Sequence, residues 1–241
     1  MTRSRRPAPA VGSEKAQPFL TPTAASDTVV LTERQRIELS KIALRLRLPA
    51  RKFIYREDGP AQSIYSVIDG LVKTYRDLPS GRRVVGSFLF PRDLFGLAQN
   101  GCYVNTAQAI SPVTLYRFPL TDLVALLKRD GEMQFQFMLK VTHELRDAQR
   151  RAILLGRRDA PGRLAMFVML MMEEPSGFDR ESSTVSLPMT RSDIAAFLGL
   201  SLESVSRAAA ELQRRGLIEF QGRRAARILD QVRLGKLAAA V

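Results

Sequence analysis

The sequence predicts an α+β chain in three parts: an N-terminal antiparallel β-roll, one long helix and a C-terminal winged helix-turn-helix. Three observations carry this. Residues 47–120 break into short β-branched and aromatic runs separated by turn residues, the pattern of an antiparallel barrel or roll. Residues 132–157 carry apolar positions near helical spacing. Residues 190–216, TRSDIAAFLGLSLESVSRAAAELQRRG, read as a helix, a tight turn and a second helix, with a small hairpin to follow. The resulting division is a flexible tail at 1–28, the roll at 29–131, the long helix at 132–158 and the helix-turn-helix region at 159–241.

Composition narrows the function classes. The 241 residues suffice for two modest domains with cores of their own. A hydrophobic fraction of 45% is ordinary for a globular chain, so the informative deviation is the net charge of +13. It favours a polyanionic partner, nucleic acid ahead of a membrane surface. A single cysteine, Cys102, permits no disulfide within the chain, and with a single histidine a zinc site built by the protein is not expected. No run of 18 apolar residues is present, so no membrane-spanning helix is expected. The N-terminal residues lack the apolar core of a secretory signal, which makes the cytoplasm the expected location.

Along the chain, Thr32 caps a helix expected over 32–46 (TERQRIELSKIALRL). Strands follow at 51–55, 63–68, 71–76, 83–90, 103–110 and 114–118. Asp69–Gly70 is a tight-hairpin signal, and residues 77–81 (DLPSG) form another turn. A short helix begins at the cap pair Thr121–Asp122. In the long helix Phe137, Val141, Glu144, Ala148 and Leu155 form one stripe, and Met138, Leu145 and Ala152 an adjacent one. One stripe suits the roll and the other a partner helix, with packing inside a single chain as the alternative. Asp159 caps a further helix with Pro161 in its first turn and its body at 162–173. The methionines at 166, 169, 171 and 172 are read as core filler. A short strand at 185–188 and a hairpin at 217–229 flank the helix-turn-helix.

The reading element is specific in its details. Thr190 caps its first helix, with Asp193 completing a capping-box-like pair. Gly199–Leu200–Ser201 makes the turn, and Ser201 caps the second helix. At 100° per residue, Glu203, Ser206, Arg207 and Ala210 share one face, with Val205, Ala208, Ala209 and Leu212 opposite. The first face suits a major groove: Arg bonds guanine O6 and N7, Glu accepts from cytosine N4, and Ser meets a base edge or a thymine methyl. The plainer alternative is a solvated face on which Glu203 and Arg207 form an i, i+4 ion pair of about 0.3–0.5 kcal/mol. Phosphate contacts are expected from Thr190, Arg191, Ser201 and the wing residues Gly222, Arg223 and Arg224, with Arg214 and Arg215 as weaker candidates. No acid/base pair, nucleophile elbow, P-loop or metal spacing is present, so an enzyme is not expected.

The run TRSDIAAFLGLSLESVSR, the stretch ILLGRRDAPGRLA at 153–165 and the order of parts resemble the Crp/Fnr family of bacterial transcription regulators over residues 30–235. The resemblance implies a jelly roll of the cyclic-nucleotide-binding kind, a dimerisation helix at 132–158, a homodimer on double-stranded DNA, and RNA polymerase as a further partner. Glu203, Ser206 and Arg207 match the pattern of the Fnr and FixK branch, which reads TTGAT-type half-sites. The cyclic-AMP receptor branch has an Arg before the Glu, where this chain has Leu202, which argues against a TGTGA-type half-site. The sensor region departs from its relatives. The tail lacks the cysteine cluster that holds an iron–sulfur centre in Fnr-type oxygen sensors. Gly96 is followed by Leu97, and Asn105–Thr106 stand where nucleotide binders carry an Arg-Ser pair, so a phosphate would lose its charged partner. His143 lies in the long helix and reads as a surface or satisfied histidine rather than a haem ligand, and a lone Cys102 reads as packed rather than as a redox switch. The resemblance therefore implies a FixK-like activator without a cofactor, reading a TTGAT-N4-ATCAA-like palindrome in oxygen-limitation or nitrogen-related control. The alternative is a Crp-type regulator gated by a cyclic nucleotide or haem.

Overall fold

A computed structural model of the chain describes residues 31–156, 159–174 and 177–239. The tail, the junction at 157–158 and the side chain of His143 lie outside the described residues. Helix α1 (Glu33–Ile42) opens on a capping box in which Thr32 and Gln35 satisfy each other's backbone N–H groups. It ends four residues short of the expected boundary. Residues Leu44–Leu48 (LRLRL) form strand β1 instead, pairing antiparallel with a later strand in the register Leu46↔Leu115. The strict alternation puts Leu46 and Leu48 on the roll core and leaves the arginines outside. A period of two wins over the helical reading because a sheet edge was there to be filled.

The roll is built from β1, β2 (Phe53–Tyr55), β3 (Ser63–Asp69), β4 (Val72–Asp77), β5 (Arg83–Leu89), β6 (Leu94–Phe95), β7 (Ala98–Gln99), β8 (Cys102–Tyr103), β9 (Thr106–Ala109) and β10 (Val113–Pro119). Two four-stranded sheets, β1-β10-β3-β6 and β2-β9-β4-β5, face each other, and β7 pairs with β8. The expected strand at 103–110 is split between β8 and β9. The hairpin expected at Asp69–Gly70 is absent: β3 and β4 belong to different sheets, and the chain crosses between them there. Gly70 has φ +89°, and a Cβ on it would lie 2.3 Å from the Pro112 carbonyl oxygen, so the crossing demands glycine. The true tight hairpin is β4–β5, closed around Gly81 and tied by two Arg83–Asp77 hydrogen bonds of 2.7 and 2.8 Å.

Helix α2 (Leu120–Arg129) has Pro119 at its N-cap position, two residues before the expected cap pair. Thr121 bonds Asp122 at 3.4 Å rather than capping the helix. Helix α3 (Gly131–Gly156) is about 39 Å long at 1.5 Å per residue. Its Met133 and Phe137 join α1 and α2 in a small core, and Leu154 enters a larger one. Phe135, Met138, Leu145 and Ile153 stay 48–62% exposed on its other side, and Ala152 is exposed as well.

Helix α4 (Ala160–Glu173) is capped by Asp159, whose carboxylate accepts from Gly162 N–H at 2.6 Å. After it come β11 (Phe178–Asp179), β12 (Thr184–Ser186), α5 (Arg191–Leu198), α6 (Leu202–Arg214), β13 (Ile218–Gln221), β14 (Ala225–Ile228) and α7 (Gln231–Ala239). The wing sheet runs β11-β12-β14-β13. Met166, Met169, Met171 and Met172 all pack into the core, as filler requires. That core is continuous with the roll: Phe88 of β5 lies 5.2 Å from Phe197 of α5 and 6.0 Å from Phe167 of α4, ring centre to ring centre.

Candidate nucleic-acid interface

Helix α5 begins where Thr190 Oγ accepts from the Asp193 N–H at 3.0 Å. Asp193 Oδ2 in return accepts from the Thr190 N–H at 3.3 Å and its hydroxyl at 2.7 Å. The helix stops at Gly199, in the left-handed region at φ 66°, ψ 28°, and Arg163 clasps the turn by donating to the Leu198 carbonyl at 2.9 Å. Ser201 then caps α6, accepting from Ser204 N–H at 3.1 Å. Both cap hydroxyls are already engaged within the chain. What each helix end offers a phosphate is therefore the remaining N–H groups of its first turn and the positive end of its dipole.

On α6, Val205, Ala208, Ala209 and Leu212 are buried, and Glu203, Ser206, Arg207 and Ala210 are exposed, so the two faces separate as the periodicity requires. Glu203 and Arg207 do not form an ion pair among the described residues; Arg207 reaches only the Ser204 hydroxyl, at 3.4 Å. The Glu203 carboxyl is held below its usual range by its own backbone N–H, then by Ser201 and by Arg207, which keeps it an ionised acceptor. Leu202 is 47% exposed beside it. Arg214 and Arg215 instead share the Glu211 carboxylate, which leaves them poorer phosphate ligands.

The wing turn lies at residues 221–224. Gly222 has φ 69° with open space around it, and Arg223 and Arg224 are exposed. Arg191, half-buried, sits 5.2 Å over the Phe220 ring, which joins the start of α5 to the wing. Thr190, Arg191, Ser201, Gly222, Arg223 and Arg224 therefore all belong to the elements that flank the α6 face. Reading the sequence alone missed Arg163, which holds the turn, and Lys73 of the roll, which bonds Asp193 at 2.5 Å. No local pattern marks either, because their partners lie 35 and 120 residues away.

The roll interior is closed by aromatic rings. Tyr55 stacks on Tyr103 at 3.8 Å between centroids, and Tyr65 stacks on Phe95 at 5.3 Å. Tyr55 Oη donates to Asn105 Oδ1 at 3.1 Å and Tyr103 Oη to the Ser63 carbonyl at 3.0 Å. Thr106 Oγ1 accepts from the Glu57 N–H at 3.1 Å. A Cβ on Gly96 would stand 3.0 Å from the Tyr65 ring. Burial raises the Tyr55 and Tyr65 hydroxyls well above their ordinary pKa. Cys102 is exposed in β8 rather than packed.

Comparison with known proteins agrees with both halves. Residues 162–237 match the Crp-like helix-turn-helix domain and residues 45–130 the cyclic nucleotide-binding domain. The chain is 36% identical to the transcriptional activatory protein AadR of Rhodopseudomonas palustris over 84% of each chain. The chain belongs to the Crp/Fnr family of transcription regulators. It is also 32% identical to the nitrogen fixation regulation protein FixK of Bradyrhizobium diazoefficiens, over 84% of this chain and 85% of that one. The structure of FixK2 from Bradyrhizobium japonicum superposes with a TM-score of 0.75 at 33% identity, covering 83% of this chain and 99% of that one. These relatives are regulators rather than enzymes, which agrees with the lack of any catalytic constellation in the sequence. Among the described residues, no helix is long and apolar enough to cross a membrane.

Proposed function

We propose that the protein is a homodimeric activator that reads a TTGAT-N4-ATCAA-like palindrome through Glu203, Ser206 and Arg207. The observation that carries this is the α6 face itself: an ionised Glu203, a Ser206 hydroxyl and an Arg207 with only a weak local bond, all exposed on a capped helix. Thr190, Arg191, Ser201, Gly222, Arg223 and Arg224 contact the flanking phosphates. Two copies pair along α3 through Phe135, Met138, Leu145 and Ile153, an apolar strip left open to water in one copy. That pairing sets two recognition helices about 34–36 Å apart, one turn of DNA. The roles of the relatives, activator and nitrogen-fixation regulator, support activation in oxygen-limitation or nitrogen-related control, with RNA polymerase as the contact that activation requires. The aromatic filling of the roll supports DNA binding without a nucleotide or haem.

Gel shift against the palindrome and a scrambled duplex tests the reading. Preference for the palindrome is expected, and equal affinity for the two overturns it. Sedimentation of wild type and of a Met138→Glu, Leu145→Glu variant tests the dimer: the variant is expected to run as a monomer and to lose the palindrome preference. A wild type that runs as a monomer refutes the pairing.

A further inference from the structure

The helix-turn-helix is held at its first helix by a charged contact with the roll. Lys73 Nζ of β4 lies 2.5 Å from Asp193 Oδ1 of α5, and both side chains are only 12% exposed. Asp193 uses its other oxygen to cap α5 through Thr190. A single carboxylate therefore closes the first turn of α5 and ties that turn to the roll. Two more contacts cross the same seam. Arg151 of α3 donates to the Val85 carbonyl of β5 at 2.5 Å while its guanidinium stands 5.0 Å over the Phe197 ring of α5. Phe88 of β5 packs on Phe197 and Phe167.

An apolar seam by itself is non-directional and tolerates sliding. A largely buried ion pair contributes little net stability, but it penalises any geometry in which either charge loses its partner. The geometry points to Lys73 as a positioning residue for DNA reading: through Asp193 it fixes the angle at which α5, and after the Gly199 turn α6, is presented. The inference rests on the palindrome reading proposed above. Two recognition helices enter successive major grooves only if each is held at one angle to its own body. Lys73 touches no base, so its effect falls on the fit to two half-sites and not on contact with DNA as such.

The test uses the full chain and three substitutions. Lys73→Met keeps the aliphatic stem and removes the charge. Lys73→Glu sets two carboxylates against each other. Asp193→Asn removes the charge but keeps an oxygen to cap α5. Affinity for the palindrome and for a scrambled duplex is measured at one salt concentration, and the ratio of the two is the readout. Partial unfolding lowers both affinities alike and leaves that ratio untouched. Lys73→Met is expected to lower the ratio about tenfold, within the usual range of coupling between sites. Lys73→Glu is expected to lower it further, and Asp193→Asn added to Lys73→Glu to bring it back to the Lys73→Met level. A wild-type ratio in Lys73→Met, or a Lys73→Glu defect that Asp193→Asn does not relieve, overturns the inference. A wild type with no preference for the palindrome overturns the underlying reading instead, so the two failures are told apart in one titration.

Discussion

Within the roll, Tyr55, Tyr103, Asn105 and Ser63 satisfy one another behind stacked rings. On α6, Glu203, Ser206 and Arg207 face solvent with little to hold them. Both regions are rich in hydrogen-bonding groups, and they differ in whether those groups are committed before any partner arrives. A closed aromatic interior contributes stability and commits the Tyr55 and Tyr103 hydroxyls within the chain. An open face contributes little stability and keeps its donors and acceptors for a base edge. The difference separates a part of the chain that holds shape from the part proposed to read bases.

Substitutions that put the same kind of damage into each region would break or sharpen that contrast. The largest effect is expected from Tyr103→Ala, which removes a stacked ring and the donor to the Ser63 carbonyl. Denaturant unfolding should show a loss of about 3–5 kcal/mol, as for other buried aromatics, while the folded fraction keeps its palindrome preference. Next comes Arg207→Ala. Binding titrations should show a loss of about 1–3 kcal/mol of discrimination between palindrome and scrambled duplex, with unfolding shifted by less than about 0.5 kcal/mol, as for an exposed position. A large stability loss in Arg207→Ala would show that α6 is structural after all. The smallest effect is expected from Arg223→Ala at the wing tip. It should weaken both duplexes equally and lower the slope of log K against log salt by about 1, measured from 50 to 200 mM salt as a range in which such contacts respond by roughly that slope. An effect confined to the palindrome would move Arg223 from phosphate contact to base reading.

The helix-turn-helix was legible because its determinants are local. A cap at Thr190, a glycine at 199, a cap at Ser201 and a 3.6-residue period all lie within one short stretch. The errors fell where a distant strand decided the outcome. Residues 44–48 continue a plausible helix until β10 offers an unfilled edge, and then their alternation sends them into the sheet. Asp69–Gly70 carries the composition of a tight hairpin, but the close approach of Pro112 turns it into a crossing between sheets. Cys102, read as packed, is exposed because β7–β8 is a two-stranded excursion outside the main sheets. The exposed face of α6 could be named residue by residue in advance. The filling of the roll could not: Tyr55, Tyr65, Phe95 and Tyr103 meet only once the two sheets close.

The continuous core through Phe88, Phe167 and Phe197 has a consequence for how the chain can be taken apart. A fragment starting at residue 159 would bare the surfaces of Phe167 and Phe197 that Phe88 now covers. Each fully buried ring of that kind is worth about 1.5–3 kcal/mol of removal from water, a large share of what a domain of some eighty residues has to spare. The DNA-reading end is thus no detachable cassette. Heat or denaturant should melt both ends in one cooperative transition, and limited proteolysis should release no long-lived C-terminal piece.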